Sequence, residues 1–118
     1  MAQHIITGAA GEQLAAQYLE QKGYIILTRN YRYKKAEVDL IARKENQLVF
    51  VEVKTRRAQN FGYPEESVTA KKESLFLQAA EEYIFQTNWL HDIRFDIISI
   101  TISAADTYYI HHIEDAFH

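Results

Sequence analysis

Two neighbouring stretches, residues 36–42 (AEVDLIA) and 48–54 (LVFVEVK), place charged side chains among apolar residues that are typical of buried strands. The charged residues that matter are Asp39, Glu52 and Lys54. Because burying an unpaired carboxylate costs several kcal/mol, a chain that keeps two carboxylates and an ammonium there needs a metal ion or a substrate to compensate them. The trio is therefore predicted to form a catalytic site.

The polar break between these stretches, residues 44–47 (KENQ), suits a hairpin turn. Because like charges that face each other across a ladder repel, an Asp39–Glu52 pair would indicate a divalent cation between them. A loop of odd length would instead shift the register by one residue and separate the charges. With Glu45 and Asn46 as a two-residue loop, antiparallel pairing would place on one face the pairs Ile41 with Phe50, Asp39 with Glu52, and Glu37 with Lys54.

The opposite face of this hairpin would be wholly apolar and must pack on another layer of the fold. The charged side chains would all lie at the end of the hairpin away from the turn, which predicts a site at one end of a sheet covered on both faces. The apolar face is predicted to carry Val38, Leu40 and Ala42 against Val49, Val51 and Val53.

Composition restricts the class of protein. A chain of 118 residues with 47% hydrophobic content suits one domain, residues 1–118, with a true core. The absence of cysteine excludes disulfides and thiolate metal sites. Since the sequence has neither a bilayer-spanning apolar run nor a signal-peptide pattern, we expect a cytoplasmic protein without a membrane partner.

The net charge of −3 hides a strong asymmetry. Residues 29–72 hold eleven of the thirteen Lys and Arg residues and six acids, whereas residues 73–118 hold one Arg and eight acids. Positive charge around the carboxylates could attract a polyanion to an acidic protein. The alternative is that these are solvated charges on loops and strand ends.

The predicted element order is helix, three strands, helix, two strands, which indicates an α/β fold with a mixed sheet flanked by helices. The first helix spans about 8–22, ends at Gly23, and carries Glu12 at the margin of its buried stripe, where it could pair with a basic residue. A second helix follows Thr69 and runs to about residue 86, after a loop at 59–68. Its first turn contains Lys71 and Lys72, whose charge opposes the helix dipole unless an anion or an acidic side chain compensates it.

An Asp followed after twelve residues by Glu-x-Lys, spanning a hairpin between two such helices, resembles the PD-(D/E)xK nuclease superfamily, with its restriction-endonuclease-like fold, and especially the archaeal Holliday junction resolvases. The chain resembles the YraN family of small bacterial proteins more closely still. This resemblance covers most of residues 8–98. Its residues are Gly11-Glu12 with Ala15, Tyr18 and Leu19; Gly23-Tyr24; Asn30-Tyr31-Arg32; 37–42; 49–56; Pro64 with Val68, Lys72 and Leu75; and 94–96.

The resemblance implies roles for these residues. Asp39, Glu52 and the carbonyl of Val53 would bind Mg²⁺, for which Mn²⁺ could substitute. Lys54 would orient the attacking water and stabilise charge on the phosphate, and Glu12 would contact the metal's water shell or a second ion. Candidate contacts to backbone phosphates are Arg32, Arg56, Arg57, Lys71 and Lys72. Tyr31, Tyr33 and Tyr63 could stack on bases, although ordinary packing is the alternative for each.

The function expected from the sequence is a Mg²⁺-dependent endonuclease acting on DNA, including branched or damaged DNA, with RNA as an alternative substrate. A resolvase-like role would require two active sites and therefore a homodimer. A second hypothesis is a non-catalytic nucleic-acid-binding module that serves a partner protein. A third is an interaction protein that uses its acidic half, residues 73–118, as the contact surface.

Overall fold

The computed structural model describes residues 8–57, 69–103 and 107–117. The predicted loop at 59–68, with Tyr63, therefore lies outside the described residues. The element order is the predicted one, helix, three strands, helix, two strands. The elements are α1 (Gly8–Gln21), β1 (Ile25–Tyr33), β2 (Ala36–Lys44), β3 (Gln47–Arg57), α2 (Ala70–Thr87), β4 (Asp92–Ile102) and β5 (Tyr108–Ile113).

The five strands form one mixed sheet in the order β1-β2-β3-β4-β5. Only β3 and β4 pair in parallel, while the other neighbours are antiparallel. A parallel pair needs a crossover connection, and α2 lies in the segment between β3 and β4. The expected α/β class with a mixed sheet is confirmed. No helix in the described ranges is both long and apolar enough to cross a bilayer.

Local sequence signals set the helix ends. Gly23 adopts φ +94 directly after α1, a left-handed conformation that glycine enters without steric cost. Thr69 is the N-cap of α2 and its hydroxyl oxygen accepts a hydrogen bond from the Lys72 amide at 3.1 Å. Asn88 caps the other end in the left-handed region. These three positions fix where each helix stops, and so which side chains reach the sheet.

The helices cover opposite faces of the sheet. Ala15, Ala16 and Leu19 of α1 pack in one core cluster with the strand residues Leu40, Ala42, Val49, Val51, Ile98 and Ile100. Phe76, Ala79 and Ala80 of α2 pack in a second cluster with Val38, Ile41, Leu48, Phe50 and Ile97. The central strands are thus buried on both faces, as their nearly continuous apolar sequences predict.

One predicted face is wrong. Val38 lies in the α2 cluster, whereas Leu40 and Ala42 lie in the α1 cluster, so strict alternation along β2 fails between residues 38 and 40. The pairing of β1 with β2 skips the opposing positions Asn30 and Asp39, and Asn30 adopts φ 52 in the left-handed region. At this irregular step the alternation of faces is reversed in both strands. Tyr31, which lies opposite Val38, also packs in the α2 cluster. The irregularity falls at Asp39, the residue predicted to be catalytic.

Candidate active site

A cleft of about 480 Å³ opens where β2 and β3 separate. It is lined from both sides of the sheet, by residues in the first two turns of α1 and α2 as well as by the two strands. The predicted catalytic set is among its lining residues: Glu12, Asp39, Glu52, Val53 and Lys54. Lys72 also lines it, together with Lys35, Ala36, Glu37, Thr55, Leu75 and Phe76. The residues predicted to form one site therefore do share one cleft.

The hairpin has the predicted two-residue loop but a shorter ladder than predicted. Lys44 pairs with Gln47, and the pairing continues to Leu40 opposite Val51, where it stops. The predicted pairs of Asp39 with Glu52 and Glu37 with Lys54 are not part of the ladder. The Asp39 carboxylate instead accepts a hydrogen bond from the Val53 amide at 2.8 Å. The strands open at Asp39, and this opening creates the cleft.

Glu52 lies at the centre of a small ion cluster. Its Oε1 is 2.8 Å from the ammonium of Lys72 and 3.3 Å from the ammonium of Lys54. Only 8% of the Glu52 side chain is exposed, against 23% for Lys54 and 44% for Lys72. A buried carboxylate is thus compensated by one lysine of its own strand and one from α2.

Asp39 is the least compensated carboxylate of the cleft. Burial raises the pKa of Asp39 to about 7, and the negative charges of Glu52, Glu12 and Glu37 add to the increase. The hydrogen bond from Val53 opposes this increase only in part. Near neutral pH the group therefore carries a proton for much of the time, and a cation placed beside it would favour the ionised form.

The two lysines respond in opposite directions. Burial lowers the pKa of Lys54, and the adjacent Lys72 lowers it further. Burial is the largest influence on Lys72 and acts to lower its pKa, but the hydrogen bond with Glu52 and the negative charges of Glu52 and Asp39 contribute to a larger combined effect in the other direction, so that pKa is raised. Lys72 is thus the firmly charged partner of Glu52, while Lys54 is the ammonium whose proton is more easily given up.

Gly11 allows α1 to bring Glu12 to the cleft. A Cβ at position 11 would overlap the Thr55 hydroxyl oxygen, so only glycine permits this close approach of α1 to β3. Glu12 follows directly in the chain and lines the cleft. The negative charge of Glu12 is among the influences that raise the pKa of Asp39.

The predicted phosphate contacts are divided between the cleft and other surfaces. Lys72 lines the cleft, but its ammonium binds Glu52. Arg32 lies on the edge strand β1, is 76% exposed and pairs with Glu37 at 3.0 Å. Arg57 and Lys71 are exposed at the end of β3 and in the first turn of α2, and Arg56 is half-buried on β3. Among the described residues, Lys72 is the one of these five that lines the cleft.

The oxygen donors of the cleft suit a magnesium ion. Two carboxylates and a main-chain carbonyl are hard ligands. Because the N–H and C=O of a strand residue point to the same side, the Val53 carbonyl faces the cleft as its amide does. Across residues 8–57, 69–103 and 107–117, no three His, Cys, Asp or Glu side chains are grouped closely enough to hold a metal ion by themselves. The chemistry of the donor set nevertheless fits Mg²⁺, which is usually held by one or two carboxylates and keeps several waters.

A second buried charge network lies away from this cleft and was missed in the sequence. Asp96 is fully buried and accepts hydrogen bonds at 2.8 Å from Nε and a terminal nitrogen of Arg94. His112 Nε2 lies 2.7 Å from the same carboxylate, and the Asp115 amide donates to it at 3.0 Å. The Arg-x-Asp spacing on an apolar strand was the available signal, since residues two apart on a strand share a face.

The fold and the cleft define a class of small α/β proteins. In this class two strands of a mixed sheet separate, and the cleft between them is lined by carboxylates and a lysine. The family model described as "Uncharacterised protein family UPF0102" matches residues 11–100, and the chain belongs to that family. The predicted YraN membership is confirmed, since this is the same family. A UPF0102 protein of Flavobacterium psychrophilum is 44% identical over 118 residues, covering 100% of this chain and 98% of the relative. Those of Cytophaga hutchinsonii and Geobacter sulfurreducens are 48% and 45% identical, covering 84% and 95% of this chain and 88% of each relative.

Proposed function

We propose that the protein is a magnesium-dependent phosphodiesterase that cleaves DNA, built on a restriction-endonuclease-like core. The observation that carries this proposal is the shared cleft of Asp39, Glu52, Val53 and Lys54, with Glu12 at its edge. A site of this kind is costly to maintain in a folded protein because the Asp39 carboxylate is buried without full compensation. Catalysis gives a reason for that cost.

In this proposal Asp39, Glu52 and the Val53 carbonyl would hold the ion, which would supply Lewis-acid charge stabilisation at the scissile phosphate. The Val53 amide fixes the orientation of the Asp39 carboxylate through its hydrogen bond. Glu52 lies beside Lys54, its neighbour two residues along the same strand. The chain thus preorganises both carboxylates before any ligand arrives, which lowers the cost of binding.

Lys54 has the position and the charge to act on the nucleophile and the phosphate. Its side chain is mostly buried in the cleft beside Glu52, so its ammonium is not fully screened by solvent. There it can orient an attacking water and stabilise the negative charge that develops on the phosphate oxygens. Because its pKa is lowered, it can also take up and release a proton nearer to neutral pH than an ordinary lysine.

DNA is the proposed substrate because the cleft lies in the basic part of the sequence. Exposed cations at the end of β3 and in the first turn of α2, Arg57 and Lys71, lie on the elements that line it. Contacts of this kind bind the sugar-phosphate backbone without choosing a sequence. Recognition of branched or damaged structures, a homodimer with two such clefts, and a cytoplasmic location belong to the same proposal.

Cleavage assays test the proposal directly. The purified protein is incubated with labelled duplex, single-stranded, flap and four-way-junction DNA and with matching RNA, in Mg²⁺, Mn²⁺ or EDTA. We expect metal-dependent cleavage of at least one DNA that falls by two or more orders of magnitude in Asp39→Ala and Lys54→Met. Asp92→Ala, which removes an exposed carboxylate at the start of β4, is the matched control and should retain activity. No cleavage of any nucleic acid, or equal cleavage by Asp39→Ala, would overturn the proposal.

One observation favours a second candidate, a nucleic-acid-binding module without catalysis. Glu52 already has two ammonium partners, so this carboxylate does not require a metal ion to be buried. Such a module would bind DNA in EDTA with strong dependence on salt and show no turnover with any divalent ion. Fluorescence anisotropy over a salt series, run beside the cleavage assay, separates the two functions.

A further inference from the structure

We propose that Lys72 is an exchangeable counter-ion of the cleft: it neutralises Glu52 in the absence of metal, is displaced when a divalent cation binds, and then contacts a substrate phosphate. This inference rests on the proposed function, because it concerns the same carboxylates. It goes further in assigning a role to the α2 lysine that changes with the state of the site. The evidence is the short contact of 2.8 Å between the Lys72 ammonium and Glu52 Oε1.

The position of Lys72 on the helix indicates that it is placed there for Glu52. Lys72 lies in the first turn of α2, where its own amide is held by the hydroxyl of the N-cap Thr69. A cation in this turn is disfavoured by the positive end of the helix dipole. The anion that lies against its ammonium is a buried carboxylate of β3, Glu52, whose negative charge offsets that penalty.

Of the two ammonium groups on Glu52, Lys72 is the one that can leave. Lys54 is 23% exposed and belongs to the same strand as Glu52, two residues along, so it cannot move far from it. Lys72 is 44% exposed and reaches the cleft from another element. Its ammonium can turn from Glu52 into solvent, where water hydrates it, whereas Lys54 remains beside the carboxylate.

The Lys72 ammonium and a divalent cation would compete for the same oxygen, Glu52 Oε1. A divalent cation that uses this oxygen would place two positive charges near the Lys72 ammonium, which cannot keep the same contact without strong repulsion. The released lysine would remain at the rim of the cleft, where the phosphates of a bound strand would lie. Binding of metal and the Lys72–Glu52 ion pair therefore oppose each other, and this opposition is a measurable coupling.

The first test measures Mn²⁺ binding by isothermal titration calorimetry in wild type, Lys72→Met, Lys72→Arg and Lys71→Met. Lys71 is the matched control, an exposed lysine one residue earlier in the same turn. We expect Lys72→Met to bind Mn²⁺ roughly two- to five-fold more tightly, the range that loss of one partly exposed ion pair allows. Lys72→Arg, which keeps the charge, and Lys71→Met should stay near wild type. A merely structural role for Lys72 predicts weaker metal binding on its removal, not tighter.

The second test asks where the ammonium goes. Binding of a labelled DNA duplex is measured by fluorescence anisotropy in EDTA and in Ca²⁺ for wild type and Lys72→Met. We expect Lys72→Met to weaken DNA binding several-fold in Ca²⁺ and clearly less in EDTA, because the lysine is held by Glu52 when no metal is bound. An equal loss in both conditions would overturn the exchange.

The outcomes separate this inference from the proposed function. If wild type binds Mn²⁺ and Lys72→Met binds it equally or more weakly, Lys72 is not a competing counter-ion, and the proposed metal site still stands. If wild type binds no Mn²⁺, both are overturned. Tighter binding in Lys72→Met alone, with the metal-dependent loss of DNA affinity, supports the exchange.

Discussion

Two buried aspartates, Asp96 and Asp39, are treated in opposite ways by the same fold. Asp96 is fully buried, yet hydrogen bonds from His112, Arg94 and the Asp115 amide overcome the effect of burial and hold its pKa below the usual range. Asp39 is also buried, but the Val53 amide is its one hydrogen-bond donor among the described contacts. Burial and nearby acids raise the pKa of Asp39 to about 7.

Under the proposed function, this difference separates a structural carboxylate, Asp96, from a metal-binding one, Asp39. Where every lone pair of a buried carboxylate is used, the cluster fixes the packing of the strands and has no capacity for a ligand. Where a buried carboxylate keeps unused capacity, the fold stores unfavourable electrostatic free energy that a cation can relieve. Burial alone therefore does not distinguish Asp39 from Asp96, whereas the number of hydrogen-bond donors around each carboxylate does.

The largest effect is expected from removing Asp96. Asp96→Ala leaves Arg94 and His112 buried without their anion, and we expect the free energy of unfolding to fall by about 3–5 kcal/mol in urea denaturation. Asp92→Ala, at an exposed position on the same strand, should change it by less than about 0.5 kcal/mol. Because the pKa of Asp96 is lowered in the folded state, its contribution is present above about pH 4 and is lost on further acidification. A similar small change in both variants would remove the structural role.

Removing the charge of Asp39 is expected to raise the free energy of unfolding, the opposite of the effect at Asp96. Its raised pKa means that the folded state binds a proton more tightly than the unfolded state, so ionisation of Asp39 destabilises the protein progressively from about pH 4 to about pH 7. Asp39→Asn should therefore raise the metal-free free energy of unfolding at pH 8 by about 4 kcal/mol, and by less than about 1 kcal/mol at pH 4. Urea denaturation in EDTA at both pH values measures the difference. Destabilisation at pH 8 would show that Asp39 is as well compensated as Asp96.

A smaller effect is expected where α1 meets the cleft. Gly11→Ala introduces a methyl group that overlaps the Thr55 hydroxyl, and we expect a loss of about 1–2 kcal/mol in thermal or urea unfolding. Thr55→Ala in the same chain should restore most of it, since the Thr55 Cβ is 3.4 Å from the added carbon. Gly23→Ala is the control: its cost comes from φ +94, and Thr55→Ala should not rescue it. Equal rescue of both variants would contradict the close approach at Gly11.

The smallest effect is expected at the N-cap that positions Lys72. Thr69→Ala removes the acceptor for the Lys72 amide and should lower the free energy of unfolding by about 1 kcal/mol. Thr69→Ser keeps the hydroxyl and should remain close to wild type. If the alanine variant also matches wild type, the cap does not hold the first turn of α2 against the cleft.

Local signals in the sequence were sufficient for the elements and the turn of the central hairpin. Gly23 ends α1, Thr69 begins α2, and the polar pair Glu45 and Asn46 forms the two-residue loop that sets the register. Each of these depends on the conformational preference or the hydrogen bonding of one or two residues, which does not change with distant neighbours. The set of charged residues in the cleft was predicted for the same reason, since buried charge is visible in an apolar stretch.

Neither the face of Val38 nor the partners of the charges were predictable in this way. Val38 was assigned to the wrong face because the alternation reverses beside Asn30, a left-handed residue on the neighbouring strand. The acidic side chain that compensates Lys72 is Glu52, twenty residues earlier on another element, and not an acid close to it in the sequence. The alternation of apolar and polar residues along one strand does not reveal an irregularity in its pairing with the next strand.

The amino-acid sequence by itself determined the order of helices and strands, the register of the hairpin near its turn, and the carboxylates and lysine that have no place in an ordinary core. The tertiary structure decided where the ladder stops, how much of each charge is compensated, and which helix supplies the counter-ion. The physical reason is that propensity and periodicity are short-ranged, whereas the free energy of a buried charge depends on every group that surrounds it in space.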